Sequence, residues 1–276
     1  MEDMNRLLCE WNNHGVHFFE NGEPDKATTM FGGVIRMMEM KVAGEQINMN
    51  EMNIQKAASL QLQSTANHAL DRPSSTPTRS HCGVIHNRHE DISSTNTISE
   101  LCYQEAIKID SSMIETTASA IHSAADNTEM ADIVSFFQSA VTLYNCAIVH
   151  HIVQLGQRSG ASSSSTTSPG SFTYETALEL YRMSFDFLLH ITCQTTLPAS
   201  SIPSQIVEQS RVMYMAILNN SAQINFECGN LVIARGCMDH MTLLINATDE
   251  DFKGGPDEYF LINSIIFGST LGAAAA

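Results

Sequence analysis

Residues 11–35 read W-N-N-H-G-V-H-F-F-E-N-G-E-P-D-K-A-T-T-M-F-G-G-V-I, and this stretch decides the fold. In its first half, Trp11 and Phe18 lie two helical turns apart. In its second half and just beyond it, apolar residues recur at spacings of four, three and four, at Ala27, Phe31, Val34 and Met38. Between the halves, Gly22 suits the end of one helix and Pro24 the first turn of the next. The stretch therefore predicts two antiparallel helices joined by a short turn.

Apolar residues at helical spacing also predict seven further helices. Their predicted ranges are 97–110, 112–125, 130–155, 173–190, 206–227, 230–245 and 257–267. Alternating apolar and polar runs, and Asn-Gly or Asp-Gly turns between such runs, are missing from the sequence, so no strand is predicted. The predicted fold class is all-α.

The helical pattern is interrupted twice, and the interruptions define the predicted organisation. Residues 1–41 form a first helical repeat, and 42–96 form an insertion or linker of low order, since long structureless loops are unusual inside a compact fold. Residues 97–276 form a helical repeat domain. A Ser-rich loop of low complexity, predicted to be disordered, interrupts that domain at 156–172.

The first helix pair resembles a tetratricopeptide repeat. The residues at the spacings of that family are Trp11, Gly15, Phe18, Gly22, Ala27 and Phe31. Gly15 and Ala27 are small where the two helices cross closely, and the aromatic residues fill the space around the crossing. Two positions depart from the family pattern: His14 replaces the usual leucine, and Glu39 the usual proline.

Two further stretches resemble eroded copies of the same repeat. In the last copy, Ala222 and Ala234 keep the separation of Gly15 and Ala27, and Gly229 occupies the turn. A middle copy is split by the Ser-rich loop, with Ala147 in its first helix and Ala177 and Tyr181 in its second. The resemblance implies a short α-solenoid of antiparallel helix-turn-helix pairs that binds proteins and has no catalytic activity.

The resemblance also implies which residues face a bound peptide. On the first helices of the first and last copies, these positions carry Asn12, Asn13, Asn219, Asn220 and Gln223. Asparagine amides can bind a peptide main chain. The cations with which related repeats hold a C-terminal carboxylate are missing here, so a carboxylate clamp is not expected.

Charge and cysteine usage restrict the expected partners and compartment. Fourteen basic and 30 acidic residues give a formal net charge of −16, which repels phosphate backbones and anionic lipid. We therefore expect a protein or peptide partner, for which an uncharged or basic segment suits the acidic surface, and neither nucleic acid nor membrane. Seven scattered cysteines with no C-x-x-C spacing are typical of a reducing, intracellular compartment, cytoplasmic or nuclear.

Two uncharged stretches approach the length of a membrane span. Residues 134–157 contain Gln138, Asn145 and two histidines, which favour a buried helix of the core. Residues 259–276 are diluted by polar residues and glycines, which favours a docked final helix with a frayed alanine tail.

Two alternatives stay open beside the adaptor hypothesis. The segment 81–91 could supply zinc ligands or catalytic groups through His81, Cys82, His86, His89, Glu90 and Asp91, although its spacing fits no known zinc module. The chain could instead be a structural subunit of a helical oligomer. No cofactor, metal site or catalytic residue is predicted.

Overall fold

The computed structural model describes residues 2–43, 101–110, 124–158, 173–193, 202–246 and 256–274. These residues contain seven α-helices and no β-strand, so the fold is all-α as predicted. The helices are α1 (Glu2–Glu20), α2 (Pro24–Ala43), α3 (Ala124–Arg158), α4 (Tyr174–Cys193), α5 (Ser204–Glu227), α6 (Leu231–Asn246) and α7 (Pro256–Ala274).

The turns between α1 and α2 and between α5 and α6 have the same construction. Gly22 and Gly229 have φ angles of 75° and 80°, in the left-handed region that favours glycine. Each glycine N–H donates to the carbonyl three residues back, and the next N–H donates to the carbonyl five residues back. This double bond pattern is the Schellman motif, which ends a helix abruptly. Both helix pairs therefore reverse direction in the same way.

Small residues let α1 and α2 approach closely. A Cβ added to Gly15 would lie 2.5 Å from the Phe31 ring, and one added to Gly33 would lie 2.5 Å from Trp11. Ala27 is fully buried at the same contact. Six further residues predicted to pack the repeats are also buried, namely Phe18, Ala147, Ala177, Tyr181, Ala222 and Ala234. Gly22 and Gly229, predicted in the same set, lie exposed in the two turns.

The helices pack in chain order. Each helix contacts the next, and the odd-numbered helices α1, α3, α5 and α7 also contact one another in series. The odd-numbered helices therefore form one row along the molecule. The superhelical course of a solenoid stays a prediction.

Two apolar clusters make up the interior, and α3 contributes to both. Cys146 and Val149 of α3 pack with the core between α1 and α2, while other α3 residues pack with α4 and α5. Within α3, Glu129–Gly156 is long and apolar enough to cross a membrane by length and composition alone, and 89% of its apolar window is buried inside the fold. Packing in the core accounts for that apolar composition.

The predicted helix at 97–110 is wrong over 102–110, which form no helix. The main chain there forms hydrogen bonds with side chains that are distant in the sequence, and not the main-chain bonds of a helix. The final helix continues to Ala274, beyond the predicted 257–267. Residues 42 and 43, predicted to begin the insertion, belong to α2 instead. The rest of the insertion, 44–96 with its segment 81–91, lies outside the described residues. So do nearly all of the predicted helix 112–125 and the Ser-rich loop from 159 to 172.

Candidate functional site

Residues 101–110, here called the central segment, lie along the row of odd-numbered helices and are held there by amide side chains. Asn145 of α3 accepts a hydrogen bond from the N–H of Ile107 at 2.8 Å and donates one to its carbonyl, also at 2.8 Å. Asn13 of α1 makes the same pair of bonds to Ile109, at 2.8 Å each.

Asn220 of α5 makes the third such pair, to Tyr103, at 2.8 and 3.0 Å. Each of these three asparagines therefore satisfies both main-chain groups of one residue. An amide side chain has the donor and the acceptor that such a pair requires.

The three asparagines occupy equivalent positions of the three helix pairs. Each stands two residues before a small residue, in the sequences N-N-H-G, Y-N-C-A and N-N-S-A. The small residues are Gly15, Ala147 and Ala222, which correspond to one another at the helix crossings of the three predicted copies, and all three are buried. Because these crossings set the rotation of each first helix, the asparagines two positions earlier all face the same side of the row.

A second line of asparagines supports the first. Asn12 donates to the carbonyl of Ile107 at 3.1 Å and accepts from Asn145 at 3.0 Å. Asn219 donates to Asn220 at 3.1 Å and accepts from Asn263 of α7 at 3.0 Å. The amides therefore also hold one another in orientation.

We call these six side chains the asparagine row: Asn12, Asn13, Asn145, Asn219, Asn220 and Asn263. All but Asn13 are 5% exposed or less. Burying an amide lowers the stability of the fold unless both its donor and its acceptor form hydrogen bonds. Without the main chain that it binds, the asparagine row would therefore destabilise the protein.

The N-terminal end of the central segment is held by one carbonyl. Leu101 O accepts three hydrogen bonds, from Asn219 at 2.7 Å, Asn263 at 3.1 Å and the Tyr259 hydroxyl at 2.9 Å. A longer contact of 3.4 Å joins the Tyr144 hydroxyl to the carbonyl of Glu105. All of these main-chain contacts fall on odd-numbered residues, the alternation of an extended chain.

Three side chains of the central segment are buried, and they occupy separate environments. Cys102 lies with its Sγ 3.5 Å from His151 Nδ1. The Tyr103 ring lies 4.9 Å from that of Phe260 and 5.4 Å from that of Tyr259, measured between centroids. Ile109, at the other end, is 2% exposed. The intervening Gln104, Glu105 and Lys108 are exposed.

Burial keeps the Cys102 and His151 pair uncharged. Desolvation lowers the pKa of His151 to about 3 and raises the pKa of Cys102 well above its ordinary range. A nucleophilic cysteine needs a thiolate, and this environment opposes one. Cys9, which lies near two histidines in the sequence, is also buried, and desolvation raises its pKa to about 11.

The structure brings four of the five predicted peptide-facing residues onto the central segment. Asn12 and Asn219 each make one bond to its main chain, and Asn13 and Asn220 each make two. Gln223 lies one helical turn beyond Asn219, where its amide is 3.5 Å from Glu227 Oε1.

We call the surface of the odd-numbered helices that the central segment covers the groove. Sequence reasoning missed Asn145, Asn263 and Tyr259 as residues of this groove. A signal for Asn145 was present, since Y-N-C-A places it two residues before Ala147, as Asn13 stands before Gly15. Asn263 and Tyr259 had no such signal, because α7 carries no small residue at the corresponding spacing.

Nothing in the described part of the chain indicates a metal centre. No group of three or more His, Cys, Asp or Glu side chains there is placed to hold a metal ion. The segment 81–91, which stays open as an alternative source of zinc ligands, lies outside the described residues. Comparisons with protein-family models, curated proteins and solved structures gave no match for this chain.

Proposed function

We propose that the chain is a tetratricopeptide-repeat-like adaptor that binds an extended segment of a protein partner along its odd-numbered helices. The observation that supports this most is the pairing of Asn13, Asn145 and Asn220 with both main-chain groups of single residues. The proposal includes no catalytic activity and no cofactor.

Main-chain recognition explains why the groove can take an extended peptide. Every residue except proline presents one N–H and one carbonyl, so an amide that pairs with both holds any extended chain. Side-chain contacts then add selectivity. This division of labour suits an adaptor, which must hold a segment in place without chemical change.

Charge favours a partner that is neutral or basic. The chain carries a net charge of −16. The one cation of the central segment, Lys108, lies 2.9 Å from Glu20 of α1, at the edge of the groove. Because that pair is exposed, it contributes little to affinity, and its main effect is on the rate of encounter.

Selection of peptides from a random decapeptide library tests the proposal. The full chain is used as bait beside a full-chain variant with Tyr103→Ser and Ile109→Ser, in which the central segment is weakened. We expect enriched peptides that bind in the micromolar range and lose binding when Asn220→Ala is added. A library that yields no binder on either bait contradicts the proposed function.

A structural role in an oligomer is a second candidate, favoured by one observation. Ile262, Ile265 and Ile266 of α7 are 40–61% exposed, at helical spacing along one side. Light scattering of the full chain and of Ile265→Glu separates the two functions. A mass of one chain for both proteins contradicts the oligomer.

A further inference from the structure

We infer that the partner carries the side-chain pattern of the central segment and displaces it from the groove. The pattern is a small uncharged residue, then an aromatic residue, then an aliphatic residue six positions later, as in Cys102, Tyr103 and Ile109. This inference rests on the proposed function and names the class of ligand.

The main-chain contacts fix the direction in which such a ligand lies. Ile109 bonds to α1, Ile107 to α1 and α3, Tyr103 to α5, and Leu101 to α5 and α7. The ligand therefore runs opposite to the order of the helices, with its N-terminus at α7.

The aromatic position is set by two rings. Tyr103 packs between Tyr259 and Phe260 of α7, at centroid distances that are typical of aromatic pairs. Its hydroxyl bonds to Glu105 within the same segment, not to a helix. A phenylalanine at this position would keep the ring contacts, so the groove selects an aromatic ring and not a hydroxyl.

The small position is set by buried neutral groups. Cys102 is 4% exposed, and its Sγ is close to His151 Nδ1. The Tyr181 hydroxyl lies 3.4 Å from the same ring nitrogen and accepts from Asn220. A charged side chain here would lose its hydration on burial, which is costly even though the Glu227 carboxylate acts on this position. Cysteine, alanine or serine fits, and lysine or glutamate does not.

The exposed positions place no such demand on a ligand. Gln104, Glu105 and Lys108 point away from the core, so substitutions there should leave affinity nearly unchanged. They provide matched controls within the same ten residues.

Because the central segment is covalently attached to the helices, an external peptide must compete with it for the groove. A tethered segment acts at an effective concentration on the order of millimolar. If the groove is open for about 1% of the time, a free peptide binds about 100-fold more weakly than its intrinsic affinity. Weakening the central segment should therefore strengthen binding of an external peptide with the same pattern.

Fluorescence anisotropy with a labelled peptide, L-C-Y-Q-E-A-I-K-I-D, tests this inference. It is titrated into the wild-type chain, up to millimolar concentration, and into the Tyr103→Ser, Ile109→Ser variant. A third protein with Gln104→Ser is the matched control. We expect the weakened variant to bind at least about tenfold more tightly than the wild type, and the control to bind as the wild type does.

Variants of the labelled peptide test the side-chain pattern. Their affinities are measured for the wild type and for each variant protein that folds. Replacing the peptide tyrosine or its second isoleucine by serine should lower affinity at least about tenfold. N-methylation at the tyrosine or either isoleucine, which removes the donors to asparagine, should do the same. N-methylation at the glutamine or lysine should have less effect.

Two results overturn the inference. One is equal affinity of the wild type and a folded weakened variant. The other is library peptides that bind through the asparagine row but lack the pattern, and this would leave the proposed function intact. If circular dichroism shows that the double variant has lost its helices, Ile109→Pro replaces it, because proline removes only the donor to Asn13 and one side chain.

Discussion

Asn145 satisfies both main-chain groups of Ile107, although 38 positions separate the two residues in the sequence. A residue within a helix or a sheet finds these partners in the main chain. Ile107 finds them in a side chain of α3, whose own position is fixed by the packing of Ala147. The central segment is thus held by the same register that packs the helices.

The first prediction concerns that amide. Asn145→Ala leaves the N–H of Ile107 and the Oδ1 of Asn12 without their partner, and each unsatisfied buried group costs about 1–3 kcal/mol. We expect the free energy of unfolding to fall by about 2–4 kcal/mol, measured by urea denaturation. Asn246→Ala, at an exposed site at the end of α6, is the control and should change it by less than about 0.5 kcal/mol. A small effect of Asn145→Ala would mean that the central segment is not docked.

The second prediction compares two glycines in helices. Gly15→Ala places a methyl group 2.5 Å from the Phe31 ring, so it should destabilise the fold by about 1–3 kcal/mol through overpacking. Gly236→Ala meets nothing within 4 Å and should stabilise α6 by about 0.5–1 kcal/mol. Thermal unfolding of both variants measures the difference. Opposite signs are expected, and a stabilising Gly15→Ala would contradict the close crossing of α1 and α2.

The third prediction is a pH dependence from His151. Desolvation lowers its pKa from 6.5 to about 3. Between these pH values the imidazole is protonated in the unfolded chain and neutral in the folded chain. Stability from this group is therefore complete above pH 6.5 and is lost as the pH falls towards 3, with a slope approaching about 1.4 kcal/mol per pH unit.

Urea denaturation between pH 7 and pH 5 measures this dependence. Between these pH values, the free energy of unfolding of His151→Gln should fall by about 1–2 kcal/mol less than that of the wild type. For the exposed control His17→Gln it should fall as it does for the wild type. Identical slopes for the wild type and His151→Gln would show that the imidazole is solvated.

The fourth prediction concerns the thiols. Cys102 and Cys146 are buried, and desolvation raises the pKa of both, that of Cys146 to about 12, whereas Cys228 is exposed. Alkylation depends on an accessible thiolate. Peptide mapping after brief alkylation of the native chain should find label at Cys228, and on the order of 100-fold less at Cys102 and Cys146. Equal labelling of Cys102 and Cys228 would place the central segment outside the groove.

The sequence predicted the helix pairs because their determinants are local. Trp11, Gly15 and Phe31 lie within 21 residues, and their spacing specifies one crossing. The resemblance to tetratricopeptide repeats placed Asn12 and Asn13 among the peptide-facing positions, and both bond to the central segment.

The central segment could not be predicted in this way. Its apolar residues Leu101, Ala106 and Ile107 fit a helical spacing, but the bonds that decide its conformation come from residues 38 to 162 positions away. Tertiary contacts of this kind override local propensity. Only the recurrence of Asn two residues before a small residue could have indicated the row, and only in three of its four helices.

Amide hydrogen exchange in the central segment, followed by NMR, shows directly whether asparagine side chains hold its main chain. We expect slow exchange, by at least about 100-fold relative to an unstructured peptide, at Tyr103, Ile107 and Ile109, whose N–H groups donate to asparagine side chains. Gln104 and Lys108, exposed in the same segment, should exchange faster. Exchange of all five amides at the rate of an unstructured peptide would mean that the asparagine row does not hold the central segment.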